Sequence, residues 1–110
     1  MSALDIRLAA EALRSRAAST FNGSYQTLGA VLAHPIRLFK ITNDTNVGVT
    51  ISYNGGTTDH EYLPAGAFIL IDITANKVRQ NQFSLEKGTQ ISVKASVGTG
   101  SIYLSTYYAE

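Results

Sequence analysis

The chain has 110 residues and a formal net charge of +1, with nine Lys and Arg against eight Asp and Glu. This length suits one domain, which would bury roughly two-thirds of the surface exposed by the unfolded chain. The absence of cysteine excludes disulfides, thiolate metal sites and cysteine nucleophiles. Charged residues make up 15% of the chain, below the roughly 25% of an average domain. Such a surface suits an ordinary neutral β domain and a self-associating protein about equally.

Residues 1–18 differ in composition from the rest and are predicted to form an N-terminal arm. Ser2 resembles a helix N-cap, and the Ala, Leu, Arg and Glu residues after it are good helix formers. A helix this short is marginal alone. The alternation of Arg14 and Arg16 with smaller side chains equally predicts the first strand. We expect a short helical or irregular arm to about Ala12, with strand character after it.

The same charged arm argues against a membrane or export segment. No stretch approaches the roughly 18 apolar residues needed to cross a bilayer. Any apolar signal-sequence core is interrupted by Asp5, Arg7, Glu11, Arg14 and Arg16. We therefore expect a chain that is made and folded in the cytoplasm, with no membrane partner.

Residues 19–110 are predicted to form one β domain. Residues 25–32 indicate a strand, and residues 36–42 indicate a central one because they are apolar on both faces over part of their length. The polar residues 43–46 are expected to form a turn before the alternating strand 47–53. Asn54-Gly55-Gly56 then predicts a hairpin turn, since both central positions need positive φ.

The second half of the domain continues this pattern. Leu63-Pro64-Ala65-Gly66 predicts a type I or II turn with Pro64 at its second position. Residues 67–73 are densely apolar and predict another central strand. A tight turn is expected at 86–89, followed by an alternating strand at 91–97. A second tight turn is expected at 98–100, before the last strand. About eight short strands at this spacing predict an all-β, antiparallel β-sandwich, jelly-roll-like in type.

The sequence shows no constellation that predicts catalysis or metal binding. Asp59, His60 and Glu61 are adjacent, but on a strand His60 would face away from the other two. His34, just before a proline, is expected to be a turn or edge residue. The glycine-rich segment 98–101 joins two strands, whereas a phosphate cradle requires a following helix. We predict no catalytic residue, no metal site and no cofactor.

Arginines near the N-terminus raise the question of nucleic-acid binding. Arg7, Arg14 and Arg16 are close in sequence, but a net charge of +1 is far from a basic footprint. The aromatic residues form no recognisable stacking platform with these arginines. A solvated arginine face is the favoured interpretation, and a nucleic-acid partner is not expected.

The last strand carries tyrosines on both faces. Tyr103 and Tyr107 share one face, and Tyr108 lies on the other. Tyrosine suits protein interfaces because one end is apolar and the other forms hydrogen bonds. Sugar binding uses the same property, and tyrosines that simply fill the end of a sandwich are an equal alternative.

Three segments carry a resemblance to a known class of protein. They are LAHPIRLFKITNDT (32–45), LPAGAFILIDI (63–73) and KGTQISVK (87–94). Together they resemble the small β-sandwich virion proteins of tailed bacteriophages, which decorate the head or lie at the collar and tail. The resemblance covers about residues 25–108, and the arm lies outside it. It implies a non-enzymatic structural protein that is present in many copies on a capsid or tail.

Two functional classes therefore remain open. The first is a virion structural protein whose partners are its own copies and other virion proteins of the capsid, portal or tail. The second is a carbohydrate-binding, lectin-like or tail-fibre-associated module that recognises a host glycan. For the first class, we expect the arm to pack on a neighbouring subunit. The predicted interface residues are Leu4, Ile6, Leu8, Leu13, Tyr103 and Tyr107.

Overall fold

The computed structural model describes residues 8–72 and 85–109. Over these residues the chain forms two antiparallel β-sheets packed together, which confirms the predicted all-β sandwich. The jelly-roll connectivity stays a prediction. The strands of the described part are β1 (Leu8–Ala10), β2 (Arg14–Ala17), β3 (Gln26–Thr27), β4 (Leu38–Thr45), β5 (Val49–Ser52), β6 (Glu61–Leu63), β7 (Phe68–Asp72), β8 (Ser92–Lys94) and β9 (Gly100–Ala109).

The first sheet is organised around β9, the longest strand described. Sheet A has the order β1-β9-β4-β7, and β2 pairs with the same edge of β9 as β1. Sheet B has the order β3-β8-β5-β6. The expectation that residues 36–42 lie centrally is confirmed for the strand itself, because β4 lies between β9 and β7.

The core lies between the two sheets and follows the period-2 alternation of the strands. On β4, Phe39 and Ile41 are buried while Lys40 is exposed. Ile102 and Leu104 of β9 extend the same inner face. Sheet B contributes Val49, Ile51 and Val93, each fully buried. Burying each such side chain contributes roughly 1.5–3 kcal/mol before the loss of chain entropy is counted.

The predicted helical character of the arm is wrong where the structure describes it. Residues Leu8–Ala10 form a strand, with Leu8 opposite Ala109 and Ala10 opposite Tyr107 of β9. The strand alternative is confirmed for Arg14–Ala17. A short helix has little stability of its own, whereas the edge of β9 offers hydrogen-bond partners along its length. Residues 1–7 lie outside the described part.

Two predicted strands differ from the structure. Of residues 25–32, only Gln26–Thr27 are in a strand, because Gly29 adopts φ 75° and the chain turns away from β8. Residues 67–73 were expected to form a central strand. Among the described residues β7 pairs with β4 alone, and Phe68 and Leu70 are exposed. An all-apolar run does not reveal which of its faces is covered.

The polar segment 43–46 was expected to be a turn, but β4 continues through it to Thr45. Asn43 is fully buried. Its amide nitrogen donates to the carbonyl oxygens of Val47 (2.9 Å), Leu63 (3.1 Å) and Pro64 (3.1 Å), and its amide oxygen accepts from the backbone N–H of Thr45 (3.1 Å). One side chain thus joins sheet A to the end of β6 in sheet B.

The glycine turns follow the predicted chemistry, with one shift. Gly55 and Gly56 both have positive φ, which confirms the hairpin turn signal. After β6, the backbone N–H of Ala67 donates to the carbonyl of Pro64 at 3.1 Å. Pro64 is therefore the first residue of that turn, and the expectation that it is the second is wrong. Asn43 is the reason, because its side-chain amide donates to the Pro64 carbonyl and its backbone carbonyl accepts from the N–H of Gly66.

We expect Asn43→Ala to lower the free energy of unfolding by about 3 kcal/mol, because several buried polar groups lose their partner. Urea denaturation followed by circular dichroism measures this change. Asn22→Ala, at an exposed turn whose side chain accepts one N–H, is the matched control and should cost less than about 1 kcal/mol. Equal losses in the two variants would contradict the assigned role of Asn43.

Gly100 offers a second test, because it combines positive φ with a close backbone approach. Its φ is 86°, and a Cβ at this position would collide with the carbonyl oxygen of Asp44. Gly23 has a similar φ of 84° with open space around it. We expect Gly23→Ala to cost about 1 kcal/mol from backbone strain and Gly100→Ala to cost at least about 2 kcal/mol more. Equal unfolding midpoints in urea would show that the contact with β4 does not matter.

Candidate functional site

One face of sheet A is turned away from the core and carries apolar side chains. The alternation that buries Phe39 and Ile41 turns Leu38, Lys40 and Thr42 outward. The pairing register places Leu70 beside Lys40 and Phe68 beside Thr42 on one side of β4. On the other side, Tyr103 lies beside Thr42 and Tyr107 beside Leu38. We call this surface the outer face; its large apolar residues are Leu8, Leu38, Phe68, Leu70, Tyr103 and Tyr107.

The outer face brings together three of the residues predicted for an interface. Tyr103 and Tyr107 lie on it as the alternation predicts, and Leu8 joins them through the pairing of β1 with β9. Leu13 does not; it lies in the β1–β2 connection with 61% of its surface exposed. Leu4 and Ile6 fall outside the described residues. The interface role of all six residues stays a prediction.

Sequence reasoning missed the two most prominent side chains of this face. Phe68 and Leu70 are 61% and 57% exposed, although they belong to a run that was interpreted as buried. Their neighbours Ile69 and Ile71 pack against the core. The alternation of Phe68 and Leu70 with these isoleucines was the available signal. It shows that the two pairs lie on opposite faces of the strand, but it does not show which face the core covers.

A second feature is a groove of about 660 Å³ between the β1–β2 connection, the loop before β4 and the end of β9. Its walls are largely apolar, with Leu13 and Val31 partly open to solvent. His34 lies flat on the ring of Tyr108 at the groove, with the ring centroids 3.6 Å apart and an angle of 4° between the planes.

A buried carboxylate lies at this groove. The Glu11 side chain is only 6% exposed; Arg14 donates to its Oε1 at 2.7 Å, and His34 Nδ1 lies 2.6 Å from Oε2. Burial alone would raise the pKa of Glu11. The hydrogen bonds from His34 and Arg14 outweigh burial and hold that pKa below its ordinary value of 4.5. Glu11 is therefore ionised at neutral pH. We call Glu11, Arg14, His34 and Thr106 the Glu11 cluster.

The arginines of β2 face inward, so the predicted solvated face is wrong for both. Arg14 and Arg16 pair with the buried Leu104 and Ile102 and share their face. Arg14 donates to the carbonyl oxygens of Ala30 (2.8 Å) and Val31 (3.0 Å), and Arg16 donates to that of Thr27 (3.0 Å). These bonds join the edge of sheet A to the end of β3 and to the segment that follows it. Arg7 lies outside the described residues.

The Glu11 cluster has the composition of a catalytic dyad but the geometry of a clamp. A carboxylate that orients an imidazole is the usual support for a general base. The hydroxyl beside it belongs to Thr106, which is 1% exposed and accepts a hydrogen bond from Arg14 at 3.0 Å. A substrate cannot reach that hydroxyl without opening the fold. The cluster therefore binds four chain segments together: the β1–β2 connection, β2, the loop before β4 and β9.

The Asp59-His60-Glu61 triplet does not lie on one strand, because β6 begins only at Glu61. The predicted alternation of the three side chains across a strand is therefore wrong. Asp59 accepts a hydrogen bond from the hydroxyl of Tyr25, with Lys94 3.4 Å away. Burial, followed by the Asp59 charge and hydrogen bond, raises the pKa of Tyr25 to about 12. His60 instead accepts a hydrogen bond from the backbone N–H of Tyr53 at 3.0 Å. The two side chains thus serve separate local contacts.

Comparisons with protein-family models, curated proteins and solved structures find no match. Within residues 8–72 and 85–109, no helix is long and apolar enough to cross a membrane. The same residues contain no group of three His, Cys, Asp or Glu side chains arranged to hold a metal ion.

The lowered pKa of Glu11 predicts a specific pH dependence. A carboxyl whose pKa is lower in the folded than in the unfolded state stabilises the fold above its ordinary value of 4.5, and this contribution is lost as the pH falls through the lowered value. We expect Glu11→Gln to reduce the change of the free energy of unfolding with pH over that acid range. Glu86→Gln, at an exposed side chain, should keep the original profile in urea titrations. Identical profiles for the two variants would contradict the assignment.

Proposed function

We propose that this chain is a non-enzymatic structural protein of a tailed-bacteriophage virion. It assembles in many copies on the capsid or in the head–tail or tail region, and it joins other virion proteins there. The observation that carries this proposal is the outer face of sheet A. The resemblance of segments 32–45, 63–73 and 87–94 to small phage virion proteins supports the same class.

The composition of the outer face favours a protein partner over water. An antiparallel sheet with one solvated face normally shows polar side chains on that face. Here Phe68, Leu70 and Leu8 are each more than half exposed, with two tyrosines between them on β9. Clustered exposed apolar side chains of this kind mark interaction surfaces.

The low charge content of the chain supports the same reading. Interface centres are depleted of charged side chains, whose desolvation is costly, and enriched in tyrosine and phenylalanine. Tyr103 and Tyr107 can bury their rings while their hydroxyls form hydrogen bonds across a contact. Lys40, which is exposed on this face, already has its amine 5.0 Å from the ring centroid of Phe68.

A second copy of the chain is the occupant that the charges favour. Lys40 and Asp44 both point outward from β4, four residues apart, with Thr42 midway between them. Consider a two-fold axis that lies between the two copies, perpendicular to β4 and level with Thr42. It would place each Lys40 opposite the Asp44 of the other copy. This charge pair is therefore complementary to itself across a two-fold interface, which places the same surface of both copies in contact.

The carbohydrate alternative has weaker support. A polar groove of about 380 Å³ lies between residues 53–55 and 86–90. The ring of Tyr53, the aromatic residue among those that line it, packs edge-on against Phe39 with centroids 5.7 Å apart and also lies against His60. A sugar would need a free ring face for stacking, and here the tyrosine is already engaged with the protein.

Light scattering tests the self-association. We expect the unsubstituted protein to form an oligomer and the double variant Phe68→Ser, Leu70→Ser to weaken self-association about 100-fold, because each lost apolar contact is worth about tenfold. The double variant Tyr62→Ser, Val97→Ser removes two side chains that are each 64% exposed elsewhere and should leave assembly unchanged. A monomer at every attainable concentration, or equal effects of the two double variants, would overturn assembly through the outer face. A monomer that binds a glycan array would favour the carbohydrate alternative.

A further inference from the structure

Strand β1 is attached to the sandwich by few apolar contacts. Its three residues place Leu8 and Ala10 on the exposed side, and only Ala9 is partly covered. Residues 8–10 contribute nothing to the buried hydrophobic core of the described part. The pairing of β1 with β9 continues through one further bond, in which the N–H of Glu11 donates to the carbonyl of Thr106 at 3.1 Å.

The side chain of Glu11 adds the strong contacts that the strand lacks. It lies one residue beyond β1, and its carboxylate bonds to Arg14 on β2 and to His34 in the loop before β4. The Thr106 hydroxyl of β9 lies 3.4 Å from the same carboxylate. Charge-assisted hydrogen bonds of this kind are roughly twice as strong as neutral ones. We propose that Glu11 and its partners form an acid-sensitive latch, which holds β1 on β9 and releases it when the carboxylate of Glu11 is protonated.

The charges around Glu11 explain why protonation opens the latch. Arg14 faces it from β2 and His34 from the loop before β4, while the ring of Tyr108 on β9 stacks on His34. Among the described residues that line this groove, Glu11 is the one that carries a carboxylate. When it takes up a proton, Arg14 and His34 lose the charged oxygens that their hydrogen bonds share, and the guanidinium of Arg14 loses its counter-charge.

The release is local because β2 has independent attachments. β2 makes four pairs with β9, and Arg16 holds the carbonyl of Thr27. Segments with few buried apolar contacts open without unfolding the whole domain. Detachment of β1 uncovers the edge of β9 at residues 107–109, whose backbone groups then become available to another strand. The latch therefore controls access to an edge, a property that goes beyond the proposed assembly through the outer face.

Hydrogen exchange of individual amides, corrected for intrinsic rates, tests the latch. The exchange rates of the Glu11 N–H and of the β1 amides are measured at two pH values, about two units above and about one unit below the ordinary carboxyl pKa of 4.5. The exchange rates of the β4 amides show whether the domain stays folded. We expect β1 to exchange faster in acid, by no more than about tenfold because the pH lies only one unit below the ordinary carboxyl value, with β4 still protected. In Glu11→Gln, β1 should exchange rapidly at both values.

Two further variants complete the test. His34→Phe keeps a ring against Tyr108 but removes the bond to Glu11, so β1 protection should fall at the higher pH while β4 stays protected. Glu86→Gln, at an exposed carboxylate outside the cluster, should behave like the unsubstituted protein. Unchanged β1 exchange in Glu11→Gln would overturn the latch. Simultaneous loss of protection in β1 and β4 would also overturn it, because it would show global unfolding instead of local release.

Discussion

The buried amide of Asn43 is the contact on which the arrangement of the two sheets depends. It lies at 0% exposure on β4, and its nitrogen is shared among the carbonyl oxygens of Val47, Leu63 and Pro64. Apolar packing alone allows one sheet to slide over the other, since it is not directional. A buried amide tolerates no such shift, because each unpaired group would cost about 1–3 kcal/mol. Asn43 thus determines where the chain leaves β6 and where β7 begins alongside β4.

Three regions of the sandwich differ in chemistry: the core between the sheets, the outer face of sheet A and the edge of β9. The inner faces are closed by Ile41, Leu104 and their neighbours, and they need no partner. The outer face of sheet A, with Phe68 and Tyr103, is left to solvent in the single chain. The edge of β9 is closed differently, by polar bonds around Glu11. Apolar contacts thus stabilise the core, while a titratable contact holds the edge strand.

Much of the fold was readable from local pattern. The alternation of Phe39 and Ile41 with Lys40 predicted a strand, because strand side chains alternate whatever lies around them, and its apolar character on both faces predicted its central place. Gly55-Gly56 predicted its turn because the need for positive φ is a property of the backbone itself. The shared face of Tyr103 and Tyr107 followed from the same period. These features depend on residues close in sequence, so the sequence by itself determined them.

Only the tertiary structure decided the features that join distant residues. Glu11 meets His34, 23 positions away, and Thr106, 95 positions away, and no local pattern signals these contacts. By sequence Asn43 resembles a turn residue, but its amide bonds to carbonyl oxygens that only the fold brings to it, including that of Leu63 in the other sheet. The exposure of Phe68 depends on which side of β7 the core covers. In each case a residue's role depends on its partners, and those partners are assembled only when the two sheets pack.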